Sequence, residues 1–309
     1  MKISLYTITL NGGYYDGPAV PLLEIFPLAK QWGYDGIEIE AKRPHGNPMD
    51  LNAAARRKIK KAAADHRLKI SCIAAYNDYS SPIDEHRENE LLMTREQIRL
   101  AADLECPFLR VFAAWSGVSR RDGRITYDLA RYNLEHRFPG TTRYERWCHV
   151  RDCLAEAATM AQKAGVVLAL QNHLPIIEDH RDMLAFIDEV KSPNLKACLD
   201  PPLMKCHTED FYRHALTMTG KRLVHTHLGG RFVQDEDGKV DFERSPLDPP
   251  GNDWPTFLRL AKDICNFKGH IGYELCSPVL IDHRYAGLQY AMGQAQLACR
   301  YMRQIIDGI

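Results

Sequence analysis

The sequence carries no surplus of charge: 40 Lys and Arg residues stand against 40 Asp and Glu, and no run of one sign breaks the balance. That balance argues against bulk electrostatic capture of nucleic acid or of an anionic membrane and leaves only a local basic groove open. Long hydrophobic runs are missing as well. None approaches the ~20 residues of a bilayer-crossing helix, and the first ten residues, MKISLYTITL, interleave polar side chains where a signal peptide needs an unbroken apolar segment. The nine cysteines are odd in number, scattered, and contain no C-x-x-C pair. Reduced thiols in a cytoplasm are expected, with Cys72, Cys198, Cys265 and Cys276 packing as small hydrophobes inside apolar segments. The first β-type run leads into TLNGGYYDGP, which holds neither G-x-G-x-x-G nor G-x-x-x-x-G-K-[ST]. An open doubly wound nucleotide-binding sheet is thereby disfavoured. No repeat of fixed period suggests a solenoid.

What is present is alternation. Eight β-type runs occur at Lys2 to Thr7, Gly36 to Glu40, Lys69 to Ala74, Phe108 to Ala113, Val166 to Gln171, Lys196 to Asp200, Leu223 to Leu228 and His270 to Leu275. Segments of helical period separate them. Leu22, Leu23, Ile25, Phe26, Leu28, Ala29 and Trp32 repeat at three and four residues, as do Leu154, Ala157, Ala158, Ala161 and Ala164 ahead of a capping Gly165. Strand and helix alternating along the whole chain imply a parallel sheet with crossover connections. Eight such units in 309 residues match an α/β, (β/α)8 TIM barrel, a single domain over residues 1–309. The loops after strands 4 and 7, Trp115 to Arg146 and Gly229 to Asp253, are extended. Both lie on the face where barrel enzymes keep their sites, so each reads as a lid or substrate wall, with an oligomer contact or a surface decoration as the alternative.

Chemistry is expected where strands end. The fifth closes on ALQNH, the sixth on CLDPP, the seventh on VHTHLGGR and the eighth on GYELCSP, each placing a polar or ionisable residue straight after an apolar run. Period-two geometry puts Gln171 with His173, and His225 with His227, on common faces. If Asp200, His227 and Glu274 point inward at one height, two carboxylates and an imidazole meet where unpaired charge is costly to bury. A divalent cation resolves that cost, and mixed N/O ligation suits Mn, Co, Zn, Mg or Fe. A hydrogen-bonded polar network without metal is the alternative.

From KISLYT through WGYDGIEIE to GNDWPTFLRLAKDICNFKGHIGYELCSP, the chain resembles the sugar phosphate isomerase/epimerase superfamily of xylose isomerase-like barrels. The resemblance implies a single divalent metal, Mn first among the choices, held by residues on strands five to eight: here Gln171, Asp200, His227 and Glu274. Gln171 departs from the usual Glu; its amide oxygen can ligate but cannot act as a base. His173, two residues on, is then the expected substitute base beside Glu274. Leu203 stands where many members carry a substrate-contacting His. Arg231, four residues after His227, is expected to hold a substrate hydroxyl or carboxylate. Glu38 and Glu40 are expected to orient substrate or His45, and Tyr6, His45 and Trp115 to line the pocket. His225 reads as a packed neighbour of the metal ligand.

The activity implied is isomerisation or epimerisation of a keto-sugar, sugar derivative or cyclitol, by proton transfer next to a carbonyl through a metal-stabilised enediolate. A lyase or dehydratase on the same scaffold is the alternative. An endonuclease with about three zinc ions needs more ligands than these strand ends supply, and a non-catalytic subunit would treat Gln171 as a lesion. Partners are a small-molecule substrate, with neither nucleic acid nor membrane, and a homo-oligomer is left open.

Overall fold

Eight parallel strands close into a barrel in strict sequence order. They are β1 (Lys2–Tyr6), β2 (Gly36–Glu40), β3 (Lys69–Ala74), β4 (Phe108–Val111), β5 (Val167–Gln171), β6 (Leu195–Leu199), β7 (Leu223–Gly229) and β8 (His270–Glu274). Each agrees with its expected run to within two residues, in a computed structural model that describes residues 1–243 and 252–309. β8 pairs with both β7 and β1, which removes the sheet edges.

The helices form where the apolar stripes predict them. Leu22–Trp32 buries Leu22, Ile25, Phe26 and Ala29 and stops at Gly33, whose φ of 95° a side chain would oppose. Arg143–Ala164 opens with a reciprocal capping box between Thr142 and Glu145 and ends at Gly165 in the left-handed region. Its buried face is Leu154, Ala157, Ala158 and Ala161. Ala164 and Leu23 fall outside the buried faces assigned to them, and both are exposed. Among the described residues no helix is long and apolar enough to cross a membrane.

The long segment after β4 folds into a hairpin (Ser119–Arg121 with Arg124–Thr126) and a helix (Asp128–His136). It packs on the barrel mouth: Ile125 joins Tyr6, Ile8, Tyr14 and Ala74 in a separate hydrophobic cluster, flanked by Val118 and Tyr127. The Tyr127 hydroxyl reaches across to the Cys276 carbonyl at 2.5 Å. Of the segment after β7, residues 244–251 lie outside the described residues; the rest contains a hairpin of Phe232–Gln234 and Val240–Phe242.

Candidate metal centre and its cavity

Inward-facing positions on neighbouring strands bring the polar strand ends together. Gln171 ends β5, Asp200 follows β6, His227 lies in β7 and Glu274 ends β8. One ligand atom from each of Asp200, His227 and Glu274 lies within 4.8 Å of the others. Gln171 Nε2 donates to Asp200 Oδ2 at 2.6 Å and lies 3.5 Å from His227 Nδ1, while Glu274 Oε2 is 3.8 Å from the same His227 nitrogen. Gln171, Asp200 and His227 are buried.

A second layer sets the direction of His227. Glu38 accepts from His227 Nε2 at 3.0 and 3.1 Å and from His225 Nε2 at 2.7 Å. With its Nε2 proton given to Glu38, His227 turns Nδ1 toward Asp200 and Glu274, an arrangement that fixes tautomer and ring orientation. The approach is close: a Cβ at Gly272 would stand 2.5 Å from Glu38 Oε2 and 3.1 Å from the His227 ring, so β8 needs glycine there. Burial would raise the Glu38 carboxyl, but the two imidazoles outweigh it and hold the group well below the ordinary carboxylate range. Glu38→Gln is therefore expected to lower Mn2+ affinity by ~10–100-fold, measured by calorimetric titration with circular dichroism as the fold control. Unchanged affinity would remove its orienting role.

The site attracts positive charge. Burial works against a charged His227, yet Glu38 and Glu274 raise it to about 9. Burial and Glu274 together push Asp200 up to about 7. Gln171 Oε1 and Asp200 Oδ1 are buried and have no hydrogen-bond partner. Two unmet oxygens, an aimed imidazole nitrogen and a carboxylate fit a divalent cation, because buried polar atoms without partners are rare unless something else meets them.

Above this cluster lies a cavity of about 350 Å3, whose walls include Gln171, His173, Asp200 and Glu274. Tyr6 and Trp115 line it as expected, and so do Pro202 and Leu203 after Asp200. His173 is held between Trp115 and Phe112, with ring centroids 4.5 and 4.7 Å away. Its Nδ1 faces the Leu174 carbonyl at 2.7 Å, which leaves Nε2 as the ring's acceptor. Burial lowers its pKa to about 4, so the imidazole is neutral and able to take a proton at neutral pH.

Three expected substrate contacts lie outside the main cavity. Glu38 spends its carboxylate on the two β7 histidines, beneath the cavity. His45 is buried against the Val20 carbonyl at 3.0 Å, and Glu40, rather than Glu38, lies beside it at 3.7 Å. Arg231 pairs with Glu243 at 3.2 Å and lines an adjoining cleft. Cys276 is half-buried: it packs against the cluster of Tyr6, Ile8, Tyr14, Ala74 and Ile125 and also lines the cavity.

Other wall residues were not anticipated. Arg110, fully inside the barrel, donates to the Tyr6 hydroxyl at 2.9 Å and the Ala75 carbonyl at 3.1 Å. Because Tyr76 donates to Glu40 at 2.9 Å, the 2.7 Å contact between hydroxyls must run from Tyr6 to Tyr76. The order Arg110→Tyr6→Tyr76→Glu40 commits the Tyr6 proton to Tyr76 and leaves Tyr6 with acceptor capacity. The one sequence signal was a charged residue inside FLRVFAA, which a buried strand tolerates only with partners.

Fold and site together define a barrel enzyme with a polar centre at the C-terminal ends of its strands, where Asp200, His227 and Glu274 form a group that could hold a metal ion. Residues 26–303 match the model of the xylose isomerase-like TIM barrel family, and the chain belongs to that family. It is 26% identical over 266 residues to fructoselysine 3-epimerase of Shigella flexneri, covering 82% of this chain and 84% of that protein. Among solved structures, D-psicose 3-epimerase from Clostridium cellulolyticum H10 superposes with a TM-score of 0.70 at 16% identity, covering 99% of both chains. An IolI protein with a bound zinc atom gives 0.69 at 16% identity, covering 100% of this chain and 99% of that one. These relatives include sugar epimerases, and the present chain is an enzyme of their family.

Proposed function

We propose that this protein is a divalent-metal-dependent epimerase or isomerase of a keto-sugar, sugar derivative or cyclitol, acting by proton transfer at the carbon next to a carbonyl. The observation that carries this reading is the convergence of unmet Gln171 Oε1 and Asp200 Oδ1 with His227 and Glu274 at the base of a cavity that also holds a neutral His173. Gln171, Asp200, His227 and Glu274 would hold the ion, with Mn preferred over Co, Mg, Zn and Fe. When bound, it supplies Lewis acidity toward oxygens on the substrate.

The proton work falls to this chain's own groups. Glu274 and His173 both line the cavity and both can accept a proton; Gln171 cannot. Trp115 and Phe112 hold the His173 ring between them. Arg110 and Tyr6, which also line the cavity, offer a donor and an acceptor to substrate hydroxyls. The names of the relatives, fructoselysine 3-epimerase and D-psicose 3-epimerase, support a keto-sugar over other substrates.

The test is solvent exchange. Mn2+-loaded protein is incubated in D2O with ketohexoses and cyclitol ketones, and the proton on the carbon beside the carbonyl is followed by NMR. Wash-out accompanied by an epimer or isomer is the expected result. Wash-out with loss of a β-substituent makes the enzyme a lyase, and no wash-out from any of these compounds by the metal-loaded protein removes the reading.

A further inference from the structure

A second cleft of about 330 Å3 opens off the cavity at Glu274, and the two share Gly230, Phe242, Glu274, Cys276 and Ser277. The cleft offers nearly as much room as the main cavity and joins it at the carboxylate assigned to proton transfer. A free monosaccharide would leave that room unused.

The cleft is unlike a sugar site. Its floor includes buried Leu275 and Val279, and its rim is Leu280, which is 58% exposed. Ile281, 47% exposed, continues the rim on the short hairpin of Leu280–Ile281 with Arg284–Tyr285. Adjacent exposed Leu and Ile leading into an apolar floor mark a surface that gains by being covered. Among the described residues, Arg231 and Glu243 are the charged residues of the cleft apart from Glu274, and they pair with each other at 3.2 Å. An apolar group would gain by leaving water against the Leu275, Val279 and Leu280 side of the cleft.

We infer that the substrate is a keto-sugar conjugate, whose sugar occupies the main cavity and whose apolar substituent lies in the cleft bounded by Leu275, Val279 and Leu280. The inference rests on the reading of the main cavity as the active site. Calorimetric titration of Mn2+-loaded protein with D-fructose, 1-O-benzyl-D-fructose and 6-O-benzyl-D-fructose tests it. At least one benzyl ether is expected to bind 10-fold or more tightly than D-fructose, and Leu280→Asp, on an exposed side chain, is expected to cut that advantage at least fivefold.

The inference is overturned if neither ether gains affinity, or if the gain survives Leu280→Asp. It is overturned equally if Leu280→Asp changes the oligomeric state by sedimentation and leaves the affinity ratio alone, because the rim would then be a contact between copies of the chain. Proton exchange run on the same compounds separates the two claims. A benzyl gain without exchange would keep the cleft and remove the catalytic reading, while exchange on D-fructose without a gain would do the reverse.

Discussion

Glu274→Gln will slow exchange of the substrate's α-proton by ~10²–10⁴-fold, the ordinary worth of a positioned general base, while the protein keeps most of its metal. The substitution preserves shape and an oxygen ligand, and Gln171 already shows an amide in a neighbouring position of the same cluster. What it removes is the capacity to take a proton. Exchange followed by NMR and metal content by elemental analysis, on one preparation, separate those two properties. His173→Ala gives the matching experiment on the other side of the cavity. If one base serves both faces of the reacting carbon, only one of the two variants will lose exchange; if the two divide the work, each loses it. Full exchange in both variants would take the acid–base assignment away from both residues.

The barrel was legible because its signals are local. Each β-run is a stretch of apolar residues such as KISLY or VLALQ, and each helix between carries its stripe, so eight strands could be counted without knowing which paired with which. The strand ends were legible for the same reason: Asp200, His227 and Glu274 each follow or close an apolar run, and inward orientation on consecutive strands brings them together. Pairing across the barrel was not legible. Glu38 meets His225 and His227 from positions 187 and 189 residues away, and alternation says only that all three face inward. Nothing in WGYDGIEIE separates a carboxylate that touches substrate from one that aims a histidine. His45 and Arg231 illustrate the same limit, since both sit on the expected side of the barrel while their partners, the Val20 carbonyl and Glu243, lie in loops whose course no local pattern sets. The long segment after β4 was recognisable as a candidate lid by length alone, but its hold on the mouth, Ile125 in the Tyr6 cluster and Tyr127 on the Cys276 carbonyl, depends on tertiary packing.

Asp200→Ala will bring the metal content of protein purified without chelator from about one ion per chain, as a site of this ligand number would hold, to less than about a tenth of that, a loss in keeping with removal of a direct ligand rather than the ~10–100-fold cost of an outer partner. The carboxylate has two jobs in the cluster. Oδ2 receives the Gln171 amide at 2.6 Å, and Oδ1 is buried with no partner, so the residue both turns Gln171 and presents an oxygen of its own. Burial and Glu274 push Asp200 up to about 7, a cost that a cation in contact with it would offset. Alanine removes that oxygen and leaves the Gln171 amide buried without its acceptor, which destabilises the fold by about 1–3 kcal/mol; thermal unfolding of chelated samples will show that loss separately from the loss of metal. Asp200→Asn completes the comparison, since it keeps an oxygen and the shape but not the charge. Metal retained by Asn and lost by Ala would assign the site to ligand geometry. Loss in both would assign it to charge, with the neutral Gln171 leaving Asp200 and Glu274 as the only carboxylates among the four proposed ligands. Full metal content in Asp200→Ala would mean that the ion is held somewhere other than this cluster.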